Sequence, residues 1–145
     1  MKKIGVGDVP AAILAAGGIV RGEGENNGKI ALVRRRRYRG DISLPKGKVK
    51  DEEDAVAAAL REVKEEIGCQ VEIVEYAGRT QYPVGRRPKL VIYFIMKLVD
   101  TSNPGPLDED EIEAVEWVTP AEAKSMLTHE EDRDLIAAVF SLPRG

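Results

Sequence analysis

The sequence predicts an α/β fold, a mixed β-sheet with helices packed on its faces. Three observations predict it. Strand-like and helix-like periodicities interleave along the chain without strict alternation. Residues 90–98 are nearly all apolar, the mark of a central strand covered on both faces. Residues 51–67 carry an apolar stripe at helical spacing, which needs a face to lie on. At 145 residues, 43% apolar and 32% charged, the chain suits one globular domain over residues 1–145.

The elements follow in order. Residues 10–20 read as a strand with a glycine break at Gly17 and Gly18, and residues 23–28 are turn chemistry. Residues 29–34, with Ile30, Leu32 and Val33, read as a second strand placed to make a hairpin with the first. A loop over 40–50 holds Leu44, Pro45, Lys46, Gly47 and Lys48. Asp51 is placed to cap a helix running to Ile67, with Val56, Ala59, Leu60, Val63 and Ile67 as its apolar stripe. Gly68 supplies the stop. Val71, Ile73 and Tyr76 mark a strand over 71–77, and residues 82–88 read as a loop. The apolar strand 90–98 comes next, then a turn over 102–106 and a strand over 112–118 that contains Trp117. Thr119 and Glu122 form a capping box with Pro120 at the first helical position, opening a short helix. Thr128 and Glu131 repeat the capping box before a last helix carrying Leu135, Ile136, Val139 and Phe140.

The bulk properties exclude several classes. A net charge of -3 leaves no global footprint for nucleic acid. The single cysteine, Cys69, rules out an internal disulfide framework and fits a reducing compartment. The apolar patch 9–20 is broken by Pro10, Gly17 and Gly18 and is too short to span a membrane. Ala15 and Ala16 resemble a signal-cleavage site behind a basic start, yet the next segment continues directly as domain sequence, so a cytoplasmic location is expected. Monomer and homodimer are both compatible with the sequence.

The chemistry concentrates between Gly47 and Cys69. Residues three and four apart share a helix face, so Glu62 lies beside Glu65 and Glu66. Such like-charge pairs cost roughly 0.2–0.5 kcal/mol each in an isolated helix, and a hard cation reverses that sign. Mg²⁺ takes oxygen ligands and keeps open positions for water and substrate phosphate, and Mn²⁺ takes the same donors. A solvated acidic face is the plain alternative. It leaves unexplained why the acids sit beside Lys46, Gly47 and Lys48. Arg61 and Glu53 read as a structural brace, an arginine fork holding a carboxylate next to the cluster.

These residues resemble the signature of the Nudix hydrolases, G-x5-E-x7-R-E-U-x-E-E-x-G-U, where U is bulky and aliphatic. Here the positions are Gly47, Glu53, Arg61, Glu62, Val63, Glu65, Glu66 and Gly68, with Cys69 as a small apolar substitute at the last one. The resemblance implies an α/β/α sandwich and Mg²⁺-dependent hydrolysis of a nucleoside diphosphate linked to another group. It implies Glu62, Glu65, Glu66 and the Gly47 carbonyl as metal ligands, with Arg61 beside them in the catalytic set. A carboxylate in the motif, Glu62 or Glu66, or one in a later loop takes the proton of the attacking water. Glu111, six residues before Trp117, is the late-loop candidate, and its acidic run reads equally well as a solvated loop.

The substrate is less sharply written. Lys46 and Lys48 flank the first signature glycine, and Arg86, Arg87 and Lys89 precede the apolar strand. This arrangement resembles members that cleave dinucleoside polyphosphates or diphosphoinositol polyphosphates, whose phosphate chains need several cations. The run Arg34 to Arg37 would place charge on both faces of a strand, so the strand is expected to end near Arg34 and the run, Arg36 included, to line the cleft. Tyr82 and Tyr38 are candidates to stack on a base, Tyr93 and Trp117 are expected in the core, and His129 on the surface. The first expectation is a dinucleoside polyphosphate such as diadenosine tetraphosphate. The rivals are an oxidised nucleoside triphosphate, a diphosphoinositol polyphosphate, and a non-catalytic binding module.

Overall fold

Alternation of side chains between two apolar faces builds the centre of the sheet in the computed structural model, which describes residues 11–37, 40–100 and 105–143. β1 (Ile13–Arg21) sends Ala15 and Ile19 to one face and Ala16 and Val20 to the other. β2 (Ile30–Arg35) divides Ile30 and Leu32 from Ala31 and Val33 in the same way. Two short strands follow, β3 (Asp41–Ser43) and β4 (Lys46–Lys48), and then α1 (Ala55–Ile67). β5 (Val71–Val84) and β6 (Arg87–Leu98) form a long hairpin around Gly85. β7 (Ile112–Val118), α2 (Pro120–Met126) and α3 (Glu130–Val139) complete the described chain.

The sheet path runs β3-β2-β1-β6-β5, with β4 also on β1 and β7 also on β2. β1 and β6 are parallel, from Ile13 opposite Lys89 to Arg21 opposite Lys97, and the other pairs are antiparallel. The sheet is mixed, as expected. β6 is buried between β1 and β5, which accounts for its apolar run. One core lies under α1, around Ala16, Val33, Ala59, Val63 and Met96. A second lies under α2 and α3, around Ile19, Leu44, Tyr93, Ala123 and Ile136. Helices therefore cover both faces.

Several expectations are corrected. α1 begins at Ala55, not after Asp51, because the Asp54 side chain accepts the Ala57 amide at 2.8 Å and makes the cap. Val56 is then turned outward, 44% exposed, and Ala58 takes a buried place. The loop over 40–50 contains β3 and β4. β5 extends to Val84 and β6 starts at Arg87, so the expected loop over 82–88 shrinks to a tight turn. Bulges after Ile73 and Tyr76 break the alternation, and Tyr76 faces out. The second capping box does not form. Thr128 instead accepts the Ile42 amide at 2.8 Å and donates to the Gly40 carbonyl, pinning the entry to α3 onto β3. The capping box of α2, Thr119 with Glu122, is present as expected. Tyr38 and the turn over 102–104 lie outside the described residues.

α3 runs antiparallel to β5. His129 stacks its ring parallel to Tyr82, and Leu135 lies against Gly78, where a Cβ would meet its Cδ1 at 2.8 Å. Asp132 sits between these two contacts on the same helix face and is 3% exposed. Burial pushes its carboxyl up to about 6, against the pull of Lys46 and His129. The folded state thus holds a proton that the unfolded chain releases at lower pH. This contribution to stability falls as pH rises from about 4 through about 6 and stays low above. Asp132→Asn is expected to remove the loss and raise stability at pH 8 by on the order of 2 kcal/mol, with little change at pH 4. Urea unfolding at the two pH values measures it, and an equal effect at both would refute the assignment.

Candidate active site

The short strand β4 and the last two turns of α1 face each other across one end of the sheet. Gly47 lies against Glu62 so closely that a Cβ would overlap the Glu62 carboxylate, so only glycine fits there. Gly68 ends the helix in the left-handed region at φ 78°, and its amide donates to the Lys64 carbonyl at 2.9 Å. A Cβ at that position would also strike the backbone of Gly105.

Arg61 gathers the outer half of the site. Its Nε donates to Glu53 at 2.7 Å and its Nη2 to the other Glu53 oxygen at 2.8 Å, a bidentate fork. It also reaches the Lys48 carbonyl at 3.1 Å, the Glu65 carboxylate at 3.4 Å and the Glu62 carboxylate. Glu53 precedes the helix and closes the turn by accepting the Lys50 amide at 3.0 Å. Its carboxyl is held down at about 2, first by the Arg61 bond and then by the Lys50 amide.

Arg35 gathers the inner half, and the sequence reading passed over it. β2 does not end at Arg34. A bulge at Arg34/Arg35 shifts the register against β7, and Arg35 points inward at 6% exposure. Its guanidinium grips Glu66, itself 1% exposed, through two bonds of 2.9 Å. Nη1 also donates to Glu111 at 2.7 Å, and Nε to Ser43 at 2.9 Å. The Lys46 amide completes the shell of Glu66 at 3.0 Å. A signal for Arg35 was present. The same parity as Ala31 and Val33 sends it under α1, and Glu66 falls on the helix stripe of Ala59 and Val63.

Burial pushes the Glu66 carboxyl up to about 7, while Arg35 and the Lys46 amide pull it down. With its oxygens gripped by the guanidinium fork, the ionised form is the one the geometry holds. The Arg35 charge is reinforced: burial opposes it, and Glu66 and Glu111 outweigh the opposition. Glu62 is pushed up by burial and by the nearby charges of Glu65 and Glu111.

The structure therefore brings Glu62, Glu65, Glu66 and Glu111 to one place from α1 and the loop before β7. Among the described residues no three acids stand as a ready cage, because Arg35 and Arg61 engage their oxygens. The donor set is all carboxylate, its charges repel, and Gly47 brings backbone against Glu62, which fits a hard divalent cation in chemical type.

The expected cations divide. Lys46 donates to the Tyr82 hydroxyl at 3.4 Å, and the Lys89 ammonium stands 5.9 Å from the Tyr82 ring centre. Burial lowers Lys89 to about 8, with Lys46, Lys48 and Arg35 adding repulsion, so these cations form one cluster. Arg87 is exposed and donates to the Ala11 carbonyl at 2.9 Å. Arg36 is exposed and donates to the Glu109 carbonyl at 2.7 Å.

The NUDIX domain family model matches residues 12–139. An "8-oxo-(d)GTP phosphatase" of Mycolicibacterium smegmatis is 32% identical over 116 residues, 79% of this chain and 34% of that protein. "Nudix hydrolase 10" of Arabidopsis thaliana is 34% identical over 94 residues, 64% of this chain and 34% of that protein. The chain thus spans about a third of the length of these curated relatives. Among solved structures, a Caenorhabditis elegans Ap4A hydrolase superposes with a TM-score of 0.76 at 25% identity, covering 89% of this chain and 95% of that one. A MutT protein of Methanosarcina mazei shares the fold with a TM-score of 0.76 at 23% identity, covering 90% and 94%. Nudix hydrolases generally use divalent metal ions. With the signature between Gly47 and Cys69 in its structural setting and the family model matched across most of its length, the chain belongs to the Nudix family.

Proposed function

We propose that this chain is a Mg²⁺-dependent pyrophosphohydrolase acting on a nucleoside diphosphate linked to a further group, with a dinucleoside polyphosphate such as diadenosine tetraphosphate as the preferred substrate. The observation that carries this reading is the meeting of two opposite clusters. The acids Glu62, Glu65, Glu66 and Glu111 adjoin the cations Lys46, Lys48 and Lys89, and Lys46 belongs to both sides through its amide and its ammonium. Acids that hold a metal beside lysines that hold a phosphate chain suit phosphoanhydride cleavage.

Glu62, Glu65, Glu66 and the Gly47 carbonyl are the groups that would hold the ion. When bound, it lowers the pKa of water and neutralises phosphate charge. The protein's own residues do the rest. Lys46, Lys48 and Lys89 bind the phosphate chain, and Tyr82 lies beside them as a platform for a base. A carboxylate of Glu62, Glu66 or Glu111 accepts the proton of the attacking water. The new bond joins water oxygen to phosphorus, the bridging P–O bond breaks, and the leaving phosphate keeps the electron pair. Arg61 keeps Glu62 and Glu65 aligned while Glu53 anchors Arg61.

A second reading has its own support. The 32% identical relative is named an 8-oxo-(d)GTP phosphatase, which favours a nucleoside triphosphate with an oxidised base. Products separate the two. Incubation with Mg²⁺ and a nucleotide panel in oxygen-18 water is expected to yield a mononucleotide plus a nucleoside triphosphate from diadenosine tetraphosphate. Monophosphate plus pyrophosphate from an oxidised triphosphate would favour the second reading. No turnover of any member would defeat both.

Two further outcomes are expected. Glu65→Gln and Glu66→Gln should each lower kcat by about 100-fold or more at saturating Mg²⁺. Unchanged activity in both would remove the metal assignment. Lys89 is charged below about 8 and neutral above, so KM for diadenosine tetraphosphate should rise as pH passes through about 8. Lys89→Met should flatten that rise. A KM profile identical in wild type and variant would exclude Lys89 from phosphate binding.

A further inference from the structure

The four consecutive arginines, Arg34 to Arg37, are the densest charge run in the chain, and Arg34, Arg35 and Arg36 each engage a defined partner. Arg34 pairs with Glu116 of β7 at 3.0 Å. Arg35 holds Glu66 and Glu111. Arg36 donates its amide to the Glu111 carbonyl at 2.8 Å and its side chain to the Glu109 carbonyl at 2.7 Å. Arg35 and Arg36 thus engage the acidic loop before β7.

That loop is strapped at both ends. At one end the Leu107 and Asp108 amides donate to the Glu65 carbonyl at 2.9 and 3.0 Å, on the last turn of α1. At the other end stand Arg35 and Arg36. Inside, the Asp108 carboxylate accepts the Glu111 amide at 3.2 Å and the Asp108 carbonyl accepts the Ile112 amide at 2.9 Å. Glu111 is half exposed, and Arg35 anchors its carboxylate at 2.7 Å.

We propose that Arg35 is a positioning residue that joins Glu66 of α1 and Glu111 of the late loop into one oriented unit, with Arg36 fastening the loop that carries Glu111. This rests on the hydrolase reading above. The reason is geometric. Two carboxylates from different elements repel, and only a planar fork with several N–H groups holds both while also bonding Ser43. A lysine keeps the charge and loses the fork.

Arg35→Lys separates charge from geometry. With diadenosine tetraphosphate and Mg²⁺ it is expected to lower kcat by about 10- to 100-fold while KM stays within about threefold, since misplacement acts on the reacting groups. In a Glu111→Gln background the same change is expected to cost less than about threefold, because the unit is already broken. Hydrogen exchange on the metal-free protein gives a readout without turnover. Amides of 107–112 should exchange about tenfold faster in both single variants and no faster in the double variant. Ser43→Ala, which keeps both charges and removes only the Nε bond, should give a smaller kcat loss in the same direction and covers the case in which Arg35→Lys does not fold. Multiplicative losses in the double variant, or loop exchange unchanged in Arg35→Lys, would overturn the proposal. A wild type that turns over no substrate would defeat the hydrolase reading alone, and the exchange result would still decide the strap.

Discussion

The site depends on a buried guanidinium. Arg35 enters from β2 and meets Glu66 from α1, Ser43 from β3 and Glu111 from the loop before β7, so four separate segments are referred to one charged group. Both Arg35 and Glu66 are almost wholly withdrawn from water. Such a pair is not a source of net stability by itself, but leaving either charge alone would cost about 3–5 kcal/mol. The fold is therefore constrained to present them together. A second, half-buried guanidinium, Arg61, does the same for Glu53, Glu62 and Glu65 on the outer side. Two arginines divide the acids of one helix between them.

This division explains how three neighbouring glutamates share the end of one helix. Burial, and after it repulsion from Glu65 and Glu111, pushes the Glu62 carboxyl up, and each acid finds an arginine within reach. The arginines lie where a divalent ion would compete for the same oxygens. The lysines stand beside them, and burial together with their mutual repulsion lowers Lys89 to about 8. Acid and base therefore meet at a boundary that runs through Lys46, whose amide serves Glu66 and whose ammonium meets Tyr82.

Much of the fold was legible because periodicity reports burial directly. The β6 run, the Ala59, Val63 and Ile67 part of the α1 stripe and the α2 capping box match the structure, since each depends on residues within one element. The misreadings share a cause. Asp51 and Asp54 both qualify as caps, and packing of Ala58 rather than Val56 chose the second. Thr128 had a capping partner in sequence and a better one in β3. The loop over 40–50 became two strands because β1 and β2 were there to pair with. The strand expected to end near Arg34 runs on through Arg35, because the partner of Arg35, Glu66, sits in α1.

The sequence by itself determined the family motif, the acids on one helix face and the glycines that let backbone approach them, because those features need only local spacing. Only the tertiary structure decided which charges meet. It brought Glu66 and Glu111 to the inward-facing Arg35 and spent Arg36 on a loop. It buried Asp132 on the inner face of α3. A charge in a sequence carries no address: its partner is set by where distant segments cross, and in this chain those crossings occur around β2.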